Sequence, residues 1–325
     1  MSADPSPPAV LVRGLVKRYG DVTALDGLDL HVPRGACFGL LGPNGAGKTT
    51  AIHILCTLAN PTQGLARVLG YDVTRDRAAV RARLGLVFQE ASLDRELSAR
   101  ENLDIHARLY HLPDRRRRVE EMLALVDLAA DAGRPVRHFS GGMKRRLEIA
   151  RGLLHAPDVL FLDEPTLGLD IRARRAIWDH LRKIRAGRDL TIVLTTHYLE
   201  EADALCDEVA IIDRGRIAAC GAPEALKSAL GGDVVAIAMD RPEGAEMALR
   251  RVEGVSRVTR EGDTARVTVA EGARRIPALL DAARPFGIRE VHLHRPSLEE
   301  VFLRHTGHAF ESGAAGGDGS REGAA

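Results

Sequence analysis

Apolar runs rich in Val, Ile and Leu alternate with amphipathic stretches between residues 10 and 230. The runs are short and bounded by polar or glycine-containing segments, which predicts buried strands, and the stretches between them have the spacing of helices. Because strands that alternate with helices form largely parallel sheets, this part of the chain is predicted to be an α/β domain. The predicted strands lie at residues 37–41, 84–88, 159–163, 190–196 and 208–213.

The pattern changes after Gly231 and Gly232. It then predicts a strand, a helix, two strands, a helix and a strand, which is the order of a ferredoxin-like domain. A last helix follows, with Leu298, Val301 and Phe302 on one face. We therefore expect a small C-terminal α+β accessory domain over residues 231–306. Its predicted elements lie at residues 233–239, 243–253, 255–260, 265–270, 274–285 and 288–294.

The two ends of the chain have the composition of flexible segments. Residues 1–9 are rich in proline and are predicted to be disordered. Residues 307–325 are rich in glycine and alanine and are predicted to form a flexible tail. The folded part is thus expected to comprise residues 10–306.

Charge and composition narrow the class of protein. The 46 basic and 45 acidic residues leave a formal net charge of +1. Nucleic-acid binding depends on an excess of Lys and Arg that neutralise phosphates, so no nucleic acid is expected as a partner.

The four cysteines form no C-x-x-C pair, which favours reduced thiols in a cytoplasmic protein. No apolar run approaches the roughly 20 residues that span a bilayer, and the first ten residues lack the pattern of a signal peptide. A role at a membrane therefore needs a partner.

A phosphate-binding loop stands between the strand at 37–41 and a helical stretch. The segment GPNGAGKT fits G-x-x-x-x-G-K-[ST], with Gly42, Gly47, Lys48 and Thr49 in the fixed positions. Glycines let the backbone curl so that successive N–H groups point at one anion, next to the positive end of the helix. Lys48 is expected to reach the β- and γ-phosphates and Thr49 to bind Mg²⁺. The alternative is a glycine-rich turn that only caps a helix, but the order of strand, loop and helix favours a nucleotide.

Two adjacent carboxylates, Asp163 and Glu164, end the apolar run at 159–163. A carboxylate at the end of a buried strand is poorly solvated unless it meets a cation, so we expect Asp163 to hold Mg²⁺ beside Thr49. Glu164 is expected to polarise the attacking water. The alternative is that both acids merely end the strand before a turn at Pro165.

Ser140, Gly141 and Gly142 precede a clear helix between these two motifs. Taken alone, they are the start of an N-capped helix. A helix N-terminus with small residues is also an anion site, and the chain already has one for its own nucleotide. Two anion sites in one chain suggest a nucleotide shared between two chains.

The phosphate loop, the Ser-Gly-Gly helix and the segment LDEPTLGLD, in this order, resemble the ATP-binding subunits of ABC transporters over nearly all of residues 10–230. The resemblance implies a P-loop NTPase core with a helical signature subdomain. It also implies a head-to-tail homodimer, in which each ATP lies between the phosphate loop of one chain and the Ser-Gly-Gly signature of the other. The residues that would bind the nucleotide are Tyr19, Gly42, Pro43, Asn44, Gly45, Ala46, Gly47, Lys48, Thr49 and Thr50.

The resemblance assigns roles to further positions. Tyr19 would stack on adenine, although an ordinary aromatic at the end of a strand is the alternative. Gln89 would touch both Mg²⁺ and the attacking water, beside the helical region that faces a membrane partner. Asp170 would communicate across the dimer, and His197 would contact the γ-phosphate. The implied catalytic residues are Glu164, His197, Lys48 and Gln89, and the implied Mg²⁺ ligands are Thr49, Gln89 and Asp163.

The C-terminal part resembles the daunorubicin/doxorubicin-resistance type of exporter ATPase. Such subunits work at the cytoplasmic face of the cell membrane, where they pair with a separate integral membrane permease and drive export of drugs or other hydrophobic compounds. The alternative is an ATPase of the same superfamily that acts on ribosomes or DNA. Ribosome-protection factors normally carry two ATPase cores, whereas this chain has one phosphate loop. Chromosome ATPases carry a long heptad-patterned insertion, for which residues 56–138 are too few.

Overall fold

The structure, a computed structural model, describes residues 7–90, 92–187 and 189–310. The predictions for residues 1–6 and 311–325 lie outside this part of the chain. The strands of the N-terminal unit are β1 (Val10–Tyr19), β2 (Val22–Val32), β3 (Cys37–Leu41), β4 (Gln63–Val68), β5 (Tyr71–Asp72), β6 (Leu84–Val87), β7 (Val159–Asp163), β8 (Thr191–Thr196), β9 (Glu208–Asp213) and β10 (Arg216–Gly221). Its helices are α1 (Lys48–Leu55), α2 (Arg77–Arg81), α3 (Ala99–Leu109), α4 (Arg115–Leu125), α5 (Gly141–Leu153), α6 (Ile171–Ala186), α7 (Leu199–Leu205) and α8 (Pro223–Ser228).

The central sheet has six strands in the order β10-β9-β3-β8-β7-β6. All neighbouring pairs are parallel except β9 and β10. Every residue of β3, β7 and β8 is buried, because a parallel sheet is covered on both faces, and this explains the continuous apolar runs in the sequence. The predicted α/β core is confirmed, and its strands end within one or two residues of the predicted bounds.

A second, antiparallel sheet was not foreseen from the sequence. Its order is β2-β1-β4-β5, and its apolar residues share a core with α1 and one face of the central sheet. The pairing of β1 with β2 is interrupted by register shifts, among them those between Val12 and Leu15 and between Lys17 and Arg18. Strand β2 matters for the site because it passes directly beside the phosphate loop, where the carbonyl oxygen of Ala24 packs against Gly47.

The C-terminal unit contains β11 (Asp233–Met239), α9 (Ala245–Leu249), β12 (Val255–Glu261), β13 (Thr264–Val269), α10 (Gly272–Ala283) and β14 (Ile288–His294). Its antiparallel sheet has the order β12-β13-β11-β14, so the predicted ferredoxin-like arrangement is confirmed. Alternate residues of β11 are buried against the helices. Helix α9 is shorter than predicted. It begins only after Gly244, which has a φ of 82° and is its N-cap, and it ends at Leu249.

The last helix, α11 (Leu298–Thr306), packs on the N-terminal unit and not on the C-terminal sheet. Its buried residues Leu298, Val301 and Phe302 belong to the same apolar core as Ala202 and Leu205 of α7. The bounds of the accessory domain, residues 231–306, therefore remain a prediction, since this helix is shared with the first unit.

Contacts also extend into the segments predicted to be flexible. The backbone N–H of Ala9 donates to the carbonyl of Val32 at 2.9 Å, which continues the pairing of β1 with β2. The Phe310 ring meets Phe302 edge to face, with 4.8 Å between ring centroids. These contacts lie within the predicted flexible segments, whose bounds stay a prediction.

We predict that Phe302→Ala lowers the free energy of unfolding by about 3–5 kcal/mol, because the ring is fully buried between α11 and the N-terminal unit. Leu303→Ala is the matched control, since Leu303 is 47 % exposed, and its effect should stay within about 0.5 kcal/mol. Guanidinium unfolding followed by the emission of the single tryptophan measures both. Equal effects of the two substitutions would contradict the docking of α11.

Candidate nucleotide-binding site

The loop between β3 and α1 is shaped by its glycines. Gly45 and Gly47 have φ angles of 82° and 108°, which residues with a Cβ rarely adopt. A Cβ on Gly42 would lie 2.3 Å from the carbonyl oxygen of Ile212, and one on Gly47 would lie 2.6 Å from that of Ala24. The loop is therefore packed against the sheet with bare backbone, and this backbone can approach a phosphate closely.

Lys48 begins α1 and is buried in the loop. Its Nζ donates to the carbonyl oxygen of Gly42 at 2.8 Å and lies 3.1 Å from Glu164 Oε1. The first turn of α1 contains no acidic residue, so no side chain there neutralises the positive end of the helix. The ammonium and the helix end together provide positive charge for a phosphate group.

Asp163 ends β7 with its carboxylate facing hydroxyl groups. The hydroxyl of Thr195 donates to Asp163 Oδ1 at 2.5 Å, and that of Thr49 donates to the same atom at 3.2 Å. Carboxylate and hydroxyl oxygens are ligands that Mg²⁺ prefers, and no Lys or Arg of the described ranges forms an ion pair with this buried carboxylate. The donor set at Thr49 and Asp163 thus fits Mg²⁺.

Glu164 and His197 form a buried pair, with 2.7 Å between Oε2 of the glutamate and Nδ1 of the histidine. Burial alone would raise the pKa of Glu164, but the hydrogen bond from His197 and the charges of Lys48 and His197 outweigh it, so its pKa is lowered. The Glu164 backbone has a φ of 48° and its N–H donates to the Thr195 hydroxyl at 3.0 Å. A strained backbone held by its neighbours is a feature of functional sites.

Ten of the predicted site residues line one cavity of about 380 Å³. Gln89 lines this cavity as an exposed side chain, whereas Gly42 and Ala46 lie buried behind the loop. Tyr19 does not line it and is 50 % exposed, with Lys17 Nζ 4.5 Å from its ring centroid. Its place beside adenine remains a prediction. The predicted residues that line the cavity are Pro43, Asn44, Gly45, Gly47, Lys48, Thr49, Thr50, Gln89, Glu164 and His197.

The signature residues lie apart from the phosphate loop of their own chain. Ser140 caps α5, its hydroxyl accepting from the N–H of Met143 at 3.3 Å. Asp170 caps α6 by accepting from the N–H of Ala173 at 2.8 Å. Both caps, together with Gly142, line a second cavity of about 300 Å³. Gly141 packs beside this surface, where a Cβ would lie 3.0 Å from Leu169 Cδ2.

Sequence reasoning missed Arg145, whose buried guanidinium organises the backbone around the site. Its Nη2 donates to the carbonyl oxygens of Asp163 and Glu164 at 2.9 and 3.0 Å. Its Nε donates to the carbonyl of Pro165 at 2.7 Å, and its Nη1 donates to that of Phe88 at 2.6 Å. One side chain thus connects the signature helix to the acidic turn and to the residue before Gln89.

The partner of Arg145 is Glu148, one turn further along α5. The two side chains form a buried ion pair with 3.0 Å between Nη1 and Oε2, and Glu148 Oε1 accepts from the N–H of Ser92 at 3.0 Å. The signal in the sequence was their position: both residues share a helix face with Ile149 and Gly152, which are buried. A charged pair on an apolar face indicates a buried network, not a solvated surface.

The comparisons with known proteins agree with this geometry. Residues 25–167 match the ABC transporter family, and residues 221–306 match the C-terminal domain of DrrA1-3-like ATP-binding proteins. The daunorubicin resistance ATP-binding protein DrrA3 of Streptomyces coeruleorubidus is 46 % identical over 92 % of this chain and 96 % of its own length. The Nod factor export ATP-binding protein I of Ralstonia nicotianae is 43 % identical over 93 % of this chain and 95 % of its own.

Solved structures show the same fold. The dimeric, post-hydrolysis form of the ATP-binding cassette MJ0796, bound to ADP and Pi, is 26 % identical with a TM-score of 0.59, over 66 % of this chain and 98 % of that one. CbiO1 of Clostridium perfringens, part of the ABC transporter complex cbiONQ, is 28 % identical with a TM-score of 0.64, over 68 % and 91 % of the two chains. The chain belongs to the ATP-binding proteins of ABC transporters, in the daunorubicin-resistance group, and is therefore an ATPase. Among residues 7–90, 92–187 and 189–310, no helix is both long and apolar enough to cross a membrane.

We predict that Arg145→Lys lowers ATP turnover at least about tenfold and the free energy of unfolding by at least about 2 kcal/mol. Lysine keeps the charge but cannot reach the four carbonyls that the planar guanidinium holds. Arg118→Lys is the matched control, because Arg118 donates to the carbonyls of Leu153 and Leu154 and lines neither cavity. ATPase assays and thermal unfolding measure both effects, and parental turnover in Arg145→Lys would refute this role.

Proposed function

We propose that this chain is the motor subunit of an ABC exporter. Two chains bind two ATP head to tail, and hydrolysis drives export of a drug or another hydrophobic compound through a separate membrane permease. The observation that carries the proposal is the buried pair of Glu164 and His197 beside Lys48, at the edge of a phosphate loop.

Glu164 is proposed to activate the attacking water. Its lowered pKa keeps the carboxylate ionised at neutral pH, as a general base requires. Oε2 is held by His197, and Oε1 lies against Lys48. When the Lys48 ammonium moves to the β- and γ-phosphates, Oε1 becomes available to hold the water. Since Nδ1 of His197 faces Glu164, its Nε2 is the atom left for the γ-phosphate.

Mg²⁺ is proposed as the cofactor, which Thr49, Asp163 and Gln89 would hold. When bound, it would supply positive charge against the charge that develops on the phosphate oxygens during transfer. Thr195 fixes the orientation of the Asp163 carboxylate through its short hydrogen bond. The same hydroxyl accepts from the N–H of Glu164, so one threonine orients both acids.

Head-to-tail pairing is supported by the position of the signature. Ser140, Gly142 and Asp170 line a cavity other than the one that contains Lys48, so their anion site is available to the nucleotide of a second chain. The related cassette MJ0796 was solved as a dimer with ADP and Pi. By analogy, each ATP here lies between Lys48 of one chain and Ser140 of the other.

A permease is proposed to dock beside Gln89. The neighbouring Phe88 is 36 % exposed, and Ile105 and Leu109 of α3 and Tyr110 directly after it have exposures of 48, 68 and 42 %. Exposed apolar side chains of this size are typical of protein interfaces. Docking there places the chain at the cytoplasmic face of the membrane. The relatives named for daunorubicin resistance and Nod factor export support export as the direction of transport.

We predict that Glu164→Gln still binds ATP while turnover falls at least about 100-fold, because the amide cannot accept a proton. Dimers should then accumulate with Mg²⁺ and ATP, as measured by light scattering. Lys48→Ala should lose ATP-dependent activity altogether. Glu200→Gln, at an exposed acid with no catalytic role, is the control. Unchanged hydrolysis by Glu164→Gln would refute the assignment of the base.

The biological role is tested by purifying Glu164→Gln from its native cells with Mg²⁺ and ATP after gentle solubilisation. We expect an integral membrane protein with several apolar spans to copurify and Lys48→Ala, as the control, to retain less of it. Recovery of ribosomes or DNA without a membrane partner would refute the exporter role and leave the ATPase chemistry intact.

A further inference from the structure

Glu201 is a fully buried acid on α7, one helical turn after His197. Its Oε1 accepts a hydrogen bond from Trp178 Nε1 at 3.0 Å. Its Oε2 has no hydrogen-bond partner among the described residues, and neither does the buried hydroxyl of Thr166. Because buried polar atoms are nearly always paired, both atoms require an explanation.

The surroundings of this carboxyl connect three parts of the site. The hydroxyls of Thr166 and Thr196 lie beside it, although neither completes a bond to Oε2. Thr166 belongs to the turn that leads from Glu164 to Asp170, and Thr196 immediately precedes His197. Trp178 is on α6, the helix that Asp170 caps.

No cation compensates Glu201. In the described part of the chain, no Lys, Arg or His forms an ion pair with it, and the charge that acts on it is the negative charge of Glu164. Burial raises the pKa of Glu201 and outweighs the polar side chains of Thr196, Trp178 and Thr166, which lower it, while Glu164 acts in the same direction as burial. A protonated carboxyl can donate from Oε2 to Thr166 Oγ1 while Oε1 still accepts from Trp178.

We propose that Glu201 is a positioning residue for ATP hydrolysis. Through Thr166, Thr196 and Trp178, it fixes the position of the turn after Glu164 relative to His197. Since Oε2 and the Thr166 hydroxyl are adjacent but not bonded, a small shift of the turn makes or breaks their hydrogen bond. A movement of the turn at Asp170 thereby changes the position of Glu164 relative to His197. This inference rests on the roles proposed above for those residues.

Trp178 gives a direct readout, because it is the only tryptophan of the chain and its indole N–H bonds Glu201. In the parent protein, we expect Mg²⁺ and ATP to shift the tryptophan emission as the turn moves. Thr166→Val keeps the shape of the side chain but removes the hydroxyl. Glu201→Met keeps the length of the side chain but removes both carboxyl oxygens.

The test measures kcat, KM for ATP and tryptophan emission in the full chain for Glu201→Met, Thr166→Val and the double variant. We expect each single variant to lower kcat about tenfold with KM changed less than about twofold, because Glu201 does not line the nucleotide cavity. The double variant should be no worse than Glu201→Met alone, since Thr166→Val removes a bond that is already lost. The ATP-dependent emission shift should be lost in all three. Glu200→Gln, on the exposed side of the same helix, should match the parent.

Parental kcat and emission in both single variants would overturn the inference. So would a lower melting temperature with unchanged kcat per nucleotide-binding site, because that result indicates a purely structural role. Thr166→Val keeps the test decisive if Glu201→Met fails to fold. Failure of the proposed function is distinguished by Glu164→Gln: if that variant hydrolyses ATP normally, the base is wrongly assigned, whatever Glu201 does.

Discussion

The parallel pairing of β3, β7 and β8 is the constraint on which the site depends. In this register Leu41 pairs with Thr196, and Asp163 pairs with Thr195, so all three strands end at the same edge of the sheet. The phosphate loop, the two acids and His197 follow these ends directly. Residues far apart in the sequence thus meet within hydrogen-bonding distance, as expected at the carboxyl edge of an α/β sheet.

Hydrogen bonds to backbone atoms then fix the acidic turn in an unfavourable conformation. Glu164 has a positive φ, and such a backbone persists only where its surroundings hold it. Thr195 binds its N–H, and Arg145 binds its carbonyl oxygen. Because Arg145 also reaches Phe88, the signature helix, the acidic turn and the segment at Gln89 form one connected unit. A shift of the signature helix on ATP binding or permease docking would reach Glu164 through this guanidinium.

Helix α11 connects the accessory domain to the helix that follows His197. The sheet of this domain is folded around a core of its own, but α11 returns to the N-terminal unit and packs with α7. Helix α7 carries Glu201 and follows His197 in the sequence. The packing of Phe302 therefore supports the helix that, in our proposal, keeps His197 in register with the turn after Glu164.

The sequence by itself determined what depends on local pattern. The loop of Gly42 to Thr49, the strand that ends at Asp163 and the order of the ferredoxin-like elements could be predicted, because periodicity and backbone requirements are encoded in neighbouring residues. The tertiary structure alone decided what depends on distant partners. Glu201 looks like an ordinary helix charge in the sequence, and the position of Arg145 on an apolar helix face indicates burial but not what it binds. Only the carbonyls around Arg145 and the indole beside Glu201, both buried, give these residues a role. The docking of α11 and the first antiparallel sheet were likewise decided by apolar surfaces that other elements provide, which no local pattern records.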